Sequence, residues 1–217
     1  MELSKRTIGV LKLFASINEN LVFKAGNKQR TIATDEGVFA EAEIDESIPS
    51  EFPICNLSTF LRNFDSAEKM KFEVTDRAVL MKVDDSSLRW LLGAKALIKS
   101  PPDKDMNLSN AIVTFKVTKE QLARVSTFAE INSLSHIVVG SDGEKLYLAA
   151  KDPKNDDAAT ARVNVCDAPS ATAVWEELLS FERFSKLHKM DCEVKVIPKS
   201  FVAFIGDRLS FMIAVER

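Results

Sequence analysis

The chain predicts an α+β protein made of two copies of one domain, each with two helices packed on antiparallel sheet. Three observations carry this reading. The stretch Leu3–Asn18 recurs without a gap at Val117–Asn132, setting Leu3 on Val117, Lys5 on Lys119, Phe14 on Phe128 and Asn18 on Asn132. Gly26 falls on Gly140 at the same spacing. After each copy, short runs of alternating apolar and polar residues follow one another between turn residues, as in antiparallel sheet. A Pro101-Pro102 segment rich in polar residues lies where the repeat needs a boundary. The predicted organisation is therefore a first domain over 1–96, a linker over 97–110 and a second domain over 111–217.

The repeated stretch is a helix. Ser4 and Thr118 stand where an N-cap hydroxyl accepts from an orphan backbone N–H. Ile8, Leu11, Phe14, Ala15 and Ile17 make one broad apolar face, and Lys5, Gly9, Lys12 and Ser16 a narrow polar stripe opposite. From Leu3 to Asn18 there are basic residues (Lys5, Arg6, Lys12) and no acidic one. A basic stripe on one helix is ordinarily a solvated face; its place in a repeat gives it interest.

The rest of the first half reads as sheet with one further helix. Leu21–Ala25 and Arg30–Thr34 suggest a hairpin about Gly26-Asn27, and Val38–Ile44 a strand with one wet face. Between Arg30 and Arg62 no Lys or Arg occurs, while Asp35, Glu36, Glu41, Glu43, Asp45, Glu46 and Glu51 do; this predicts an acidic outer sheet. Asn56 is placed to cap a helix over Leu57–Phe64, where Leu57, Phe60, Leu61 and Phe64 share a face and Thr59, Arg62 and Asn63 point away. Met70–Thr75, Ala78–Val83 and Ser87–Leu92 follow as strands. Asp76-Arg77 and Asp84-Asp85-Ser86 are turns, so the Asp84-Asp85 pair reads as hairpin chemistry and not as a metal site.

The second half repeats the plan. Ile112–Val117 leads into the repeated helix, and Ile137–Val139 with Leu146–Ala150 form a hairpin about Ser141-Asp142-Gly143. The polar loop 152–157 lacks the glycine and terminal glutamate of a calcium-binding loop. Ala161–Val165 and Val174–Leu179 read as strands. A short helix over Phe181–Leu187 sets Phe184 on Phe60 and Lys186 on Arg62. Glu193–Ile197, Phe201–Ile205 and Leu209–Val215 close the domain. Each half is thus expected to hold eight or nine strands, with the four helices sharing one side. The outward bases predicted there are Lys5, Lys12, Arg62, Lys119, Arg124, Arg183, Lys186 and Lys189.

Composition narrows the function classes. The 217 residues are 46% hydrophobic with a net charge of −3, enough for two cores of about 100 residues each. Contact with nucleic acid would have to come from local segregation of charge. Cys55, Cys166 and Cys192 are scattered, without metal-ligand spacing, and read as reduced packing residues. No run approaches a membrane span, so a soluble chain is expected. His136 and His188 have no nucleophile or base motif around them, and there is no phosphate-binding loop or HExxH. An enzyme is not expected; neither is a catalytic residue, a bound metal or a cofactor.

The ordered set Leu3-Ser4-Lys5, Leu11-Lys12, Phe14-Ala15, Ile17-Asn18, then Arg89-Trp90, then Gln121-Leu122, Arg124-Val125-Ser126 resembles the sliding clamps (DNA polymerase processivity factors) of T-even-like tailed phages, over the whole length and strongest in the two long helices. The resemblance implies the DNA-clamp (processivity) fold and a homotrimeric ring whose helices line a hole. It further implies sequence-independent, topological contact with double-stranded DNA, a phage DNA polymerase as partner and an ATP-dependent clamp loader. The place of action would be the cytoplasm of an infected bacterium. Glu120 and Glu130 depart from the basic stripe and imply a weaker positive field in the second copy. Three rival readings stand beside it: an enzyme, which lacks a motif; a DNA-bending saddle, which needs a basic domain; and a non-ring, directly DNA-binding processivity factor or other duplicated interaction module.

Overall fold

The computed structural model describes residues 1–65, 70–155, 157–169 and 172–216. Asp156, within the polar loop considered for calcium, lies outside the described residues. The chain divides into two compact units, Met1–Asp103 and Lys104–Arg217, with the break inside the 97–110 segment.

The first unit opens with helix α1, Lys5–Ile17, capped by Ser4, whose side chain accepts from the Thr7 N–H. Val10, Leu11, Phe14, Ala15 and Ile17 are buried, while Lys5, Gly9, Lys12 and Ser16 are exposed, so the apolar face and polar stripe fall as the periodicity predicts. β1 (Leu21–Phe23) pairs with β4 (Phe52–Ile54), and β2 (Gly26–Ile32) with β3 (Val38–Ile48), both antiparallel. This corrects the expected hairpin between Leu21–Ala25 and Arg30–Thr34. Gly26 has φ +93°, which turns the chain out of β1, and the tight turn lies at Asp35-Glu36-Gly37 instead, where the Gly37 N–H donates to Asp35 Oδ1. Helix α2, Leu57–Asp65, buries Leu57, Phe60, Leu61 and Phe64, and Asn56 Oδ1 accepts from the Thr59 N–H at 3.1 Å. α1 packs on α2 and on β3. β5 (Lys71–Val74), β6 (Ala78–Val83) and β7 (Ser86–Leu91) form a three-stranded sheet in that order.

A run of aromatic rings fills this core. Phe23 stacks on Phe52 at 4.6 Å, Phe60 meets Phe64 and the Trp90 ring, and Phe64 meets Phe72 edge-on. Offset and edge-on arrangements suit the ring quadrupoles and hold α2 against two separate sheets. Past a single 3-10 turn, Lys95–Leu97, the connecting segment is held to the first unit by Asn18 Nδ2 on the Lys99 carbonyl and by Lys24 with Asp103. Ile98 is buried there and Leu97 is 83% exposed.

The second unit follows the same order. β8 (Val113–Val117) leads to helix α3, Lys119–Ile131, with Thr118 and Gln121 forming a reciprocal capping box. β9 (His136–Ser141), β10 (Lys145–Lys151), β11 (Ala161–Asp167) and β12 (Trp175–Ser180) form a sheet in the order β11-β10-β9-β12. The short helix α4 spans Phe181–Ser185. β13 (Cys192–Ile197), β14 (Phe201–Ile205) and β15 (Leu209–Ala214) are hydrogen-bonded in the order β15-β14-β13-β8. Among the described residues the first unit therefore has seven strands and the second eight, fewer than expected for the first. The place that β8 takes beside β13 is held in the first unit by one bridge, Glu2 to Lys71.

α1 and α3 are both 13 residues long and begin at repeat-equivalent positions, Lys5 and Lys119. Their burial differs. Val10 is buried, yet its counterpart Arg124 is exposed; Ile17 is 6% exposed, yet Ile131 is 74% exposed. Lys12 is exposed while its counterpart Ser126 is buried, its hydroxyl without a partner among the described residues. α3 is thus turned about its axis relative to its own sheet when set beside α1, which explains why the polar stripe does not carry over residue by residue. Gly26 and Gly140 also differ in role. Gly26 serves a left-handed turn, whereas a side chain at Gly140 would meet the Tyr147 ring and the Trp175 carbonyl within 3 Å.

Candidate nucleic-acid interface

The helix N-termini come first, because an N-terminus is a ready anion site. In α1 that site is filled from within. Glu46 on β3 accepts from the Ser4 N–H and from Thr7 Oγ1, both at 2.5 Å, and Asp45 accepts from Ser4 Oγ at 2.6 Å. Arg6 pairs with Asp45 at 2.8 Å. In α3, Asp191 accepts from the Lys119 N–H at 2.7 Å. A phosphate would compete with these carboxylates, so any attraction to DNA rests on side chains along the helices.

Lys5 and Lys12 line one groove between α1 and α2, about 680 Å³ in volume, with Gly9 between them and Phe64, Asp65 and Met70 on the far side. Lys12 Nζ lies 2.7 Å from Asp65 Oδ1. Arg62 is exposed on α2, outside the groove lining. In the second unit Lys119 and Arg124 are exposed on α3. Lys186 is the C-cap of α4, where a cation suits the helix dipole. Lys189 is half-buried; burial draws its ammonium below the ordinary lysine range, with nearby Glu130 opposing that shift. Arg183 is already engaged: Nη1 lies 3.5 Å from Glu216 Oε1, and the same carboxylate bonds His136 Nε2 at 2.7 Å. The structure thus brings Lys5 and Lys12 together within the first unit, and ties Arg183 to the segment after β15.

Three residues of the site carry no signal in the sequence. Asp65 neutralises Lys12 from another helix, and no local spacing signals a pair so far apart in the chain. Glu46 and Asp45, read as part of an acidic surface, serve as caps; only a strand-to-helix contact makes that visible. Much of the remaining acidic stretch is paired as well, Glu41 with Lys28 and Arg30, Glu51 with Lys24 and Lys95, and Glu36 with Lys99. Among the described residues no group of His, Cys, Asp and Glu is arranged to hold a metal ion, and no helix is long and apolar enough to cross a membrane.

No protein-family model matches the chain. The sliding clamp of Vibrio phage KVP40 is 28% identical over 223 residues, an alignment covering 100% of this chain and 99% of that protein. The sliding clamp of Escherichia phage RB69 is 30% identical over 151 residues, covering 66% of this chain and 64% of its own length. Among solved structures, A. fulgidus PCNA with the C-terminal region of FEN-1 bound superposes with a TM-score of 0.70 at 12% identity, over 100% of this chain and 97% of that one. The chain is thus similar along its full length to a phage sliding clamp and shares the fold of a solved clamp structure.

Proposed function

We propose that the chain acts in phage DNA replication as a homotrimeric ring that encircles duplex DNA and holds the replicative polymerase near the primer end. The observation that carries this reading is the whole-length similarity to the KVP40 sliding clamp. Two repeated units per chain suit a ring of six units built from three copies. Several edge strands are available to join copies, among them β7 at one edge of its sheet and β11 at one edge of its own. β7 exposes Leu88 at 40% and Leu91 at 65%. Pairing such edges in a closed ring removes a surface that otherwise invites aggregation.

In the ring α1 to α4 face the DNA. Lys5, Lys12, Arg62, Lys119, Arg124, Lys186 and Lys189 supply scattered positive charge, with Arg183 behind them. Phosphate contacts of this kind attract a duplex without reading its bases. Enclosure replaces affinity, so the contacts are weak enough to slide. The ring is non-catalytic, raises the polymerase's effective concentration at its template and is opened by an ATP-dependent loader. It works in the cytoplasm of the infected bacterium. The peptide bound to A. fulgidus PCNA supports docking of polymerase through a short peptide.

Sedimentation equilibrium across a dilution series tests the ring. A species of three chains that dissociates on dilution is expected, followed by loader-dependent retention on circular DNA and release when the circle is cut. A monomer at every concentration would overturn the ring and favour a directly binding factor.

A further inference from the structure

We propose that Asp65 attenuates the DNA contact of the first unit by holding Lys12 until a phosphate displaces it. The proposal rests on reading α1 as DNA-facing. Lys12 Nζ and Asp65 Oδ1 are 2.7 Å apart, joining α1 to α2 across the groove that also contains Lys5. The two side chains are 49% and 47% exposed. An exposed pair of this kind is weak and open to exchange. α1 contains no acidic residue and Asp65 is the single acid of α2, so among the described residues one carboxylate accounts for the restraint on Lys12.

The groove floor has room for an incoming anion. A Cβ at Gly9, between the two lysines, would have no neighbour within 4 Å. A phosphate oxygen approaching there meets Lys5, which has no side-chain partner among the described residues, but reaches Lys12 by replacing the Asp65 carboxylate. One anion is then exchanged for another, with little net gain. Each contact is brief, as a ring that must move along its track requires. Glu2, at the groove's other rim, adds to the repulsion without holding either lysine.

The test measures binding of the full chain to a short fluorescent linear duplex over a salt series. Asp65→Asn preserves shape and frees Lys12. It is expected to bind about three- to tenfold tighter at low salt, with a slope of log affinity against log salt steeper by about 0.9, one more phosphate neutralised. Lys12→Ala, which leaves the Asp65 carboxylate unpaired beside the duplex, should weaken binding, and Asp65→Asn added to Lys12→Ala should restore part of that loss without the steeper salt slope of Asp65→Asn alone. Unchanged or weaker binding by Asp65→Asn, with Lys12→Ala weakened, overturns the attenuation and leaves α1 on the DNA. Binding indifferent to both Lys5→Ala and Lys12→Ala removes α1 from the DNA and this proposal with it. Thermal melts of each variant separate a lost contact from a lost fold.

Discussion

The Arg162 guanidinium lies over the Tyr147 ring, its central carbon 3.9 Å from the ring centroid. Arg162 belongs to the edge strand β11 and Tyr147 to its neighbour β10, so the contact joins the two strands. Arg162 also pairs with Asp142 Oδ2 at 2.5 Å and donates to Asn164. Backbone N–H groups of Lys145 and Glu144, with Arg162 between them in effect, hold the Asp142 carboxyl well below its usual range. Beneath the guanidinium, the Tyr147 hydroxyl donates to Glu176 at 2.7 Å, and Lys151 bonds the other oxygen of that carboxylate. The edge strand is thereby tied to two strands behind it.

Tyr147 is the one tyrosine of the chain, so its ionisation is directly readable. Burial, then the bond to Glu176, pushes its pKa up from 10.0 to about 12. The folded state therefore keeps a proton that the unfolded chain loses near pH 10. The stabilising contribution is complete below pH 10 and is lost as pH rises from 10 to about 12. Phenolate absorbance is expected to rise with a midpoint near 12 in the native protein and near 10 in urea. A native midpoint at 10 would mean that Tyr147 is neither buried nor bonded to Glu176 as described.

The repeat makes matched substitutions informative. Phe14 is fully buried, while its counterpart Phe128 is half-buried. Phe14→Ala should cost about 3–5 kcal/mol, the range for emptying a packed aromatic site, and Phe128→Ala clearly less. Urea titrations of the two variants measure the difference. Equal losses would show that α3 is as deeply packed as α1.

Two glycines should respond with opposite sign. Gly9 sits exposed in the middle of α1 with open space at its Cβ position, so Gly9→Ala should stabilise by about 0.5–1 kcal/mol through helix propensity. Gly140→Ala would press a methyl group within 3 Å of the Tyr147 ring and the Trp175 carbonyl and should destabilise by about 1–3 kcal/mol. Thermal midpoints moving in the same direction for both would contradict this packing.

These contrasts mark what could be read in the residues. The register of α1 and α3, both caps and the α2 face were legible because each depends on local spacing. The partner of β1 was not: β1 pairs with β4, some 30 residues onward, and turn signals at Gly26-Asn27 fitted a local hairpin equally well. Of the candidate bases, Lys5, Lys12, Arg62, Lys119 and Arg124 stand as exposed positions on helices, whereas Arg183 and Lys186 are half-buried and Lys189 lies half-buried beyond α4. Their restraints were not legible, because Asp65 meets Lys12 and Glu216 meets Arg183 only through tertiary packing. The roll of α3 was hidden too, since Arg124 and Ile131 occupy positions that are apolar and buried in α1.

Assembly should depend on β7. Trp90 is fixed from within, its ring 5.6 Å from Phe60, while Leu91 projects outward and is 65% exposed. Burying a leucine fully is worth about 1.5–3 kcal/mol. If β7 is the joining edge of the proposed ring, Leu91→Lys removes that gain and places a charge in each joint. The association constant per joint should fall by about tenfold or more, since 1.4 kcal/mol is a factor of ten. The monomer's own stability should stay within about 0.5 kcal/mol of the parent, because an exposed side chain contributes little to its own unit. Sedimentation and urea unfolding of the same sample separate the two effects. Unaltered trimer with Leu91→Lys would move the joint away from β7, whereas loss of both assembly and folding would make Leu91 part of a core that its exposure denies.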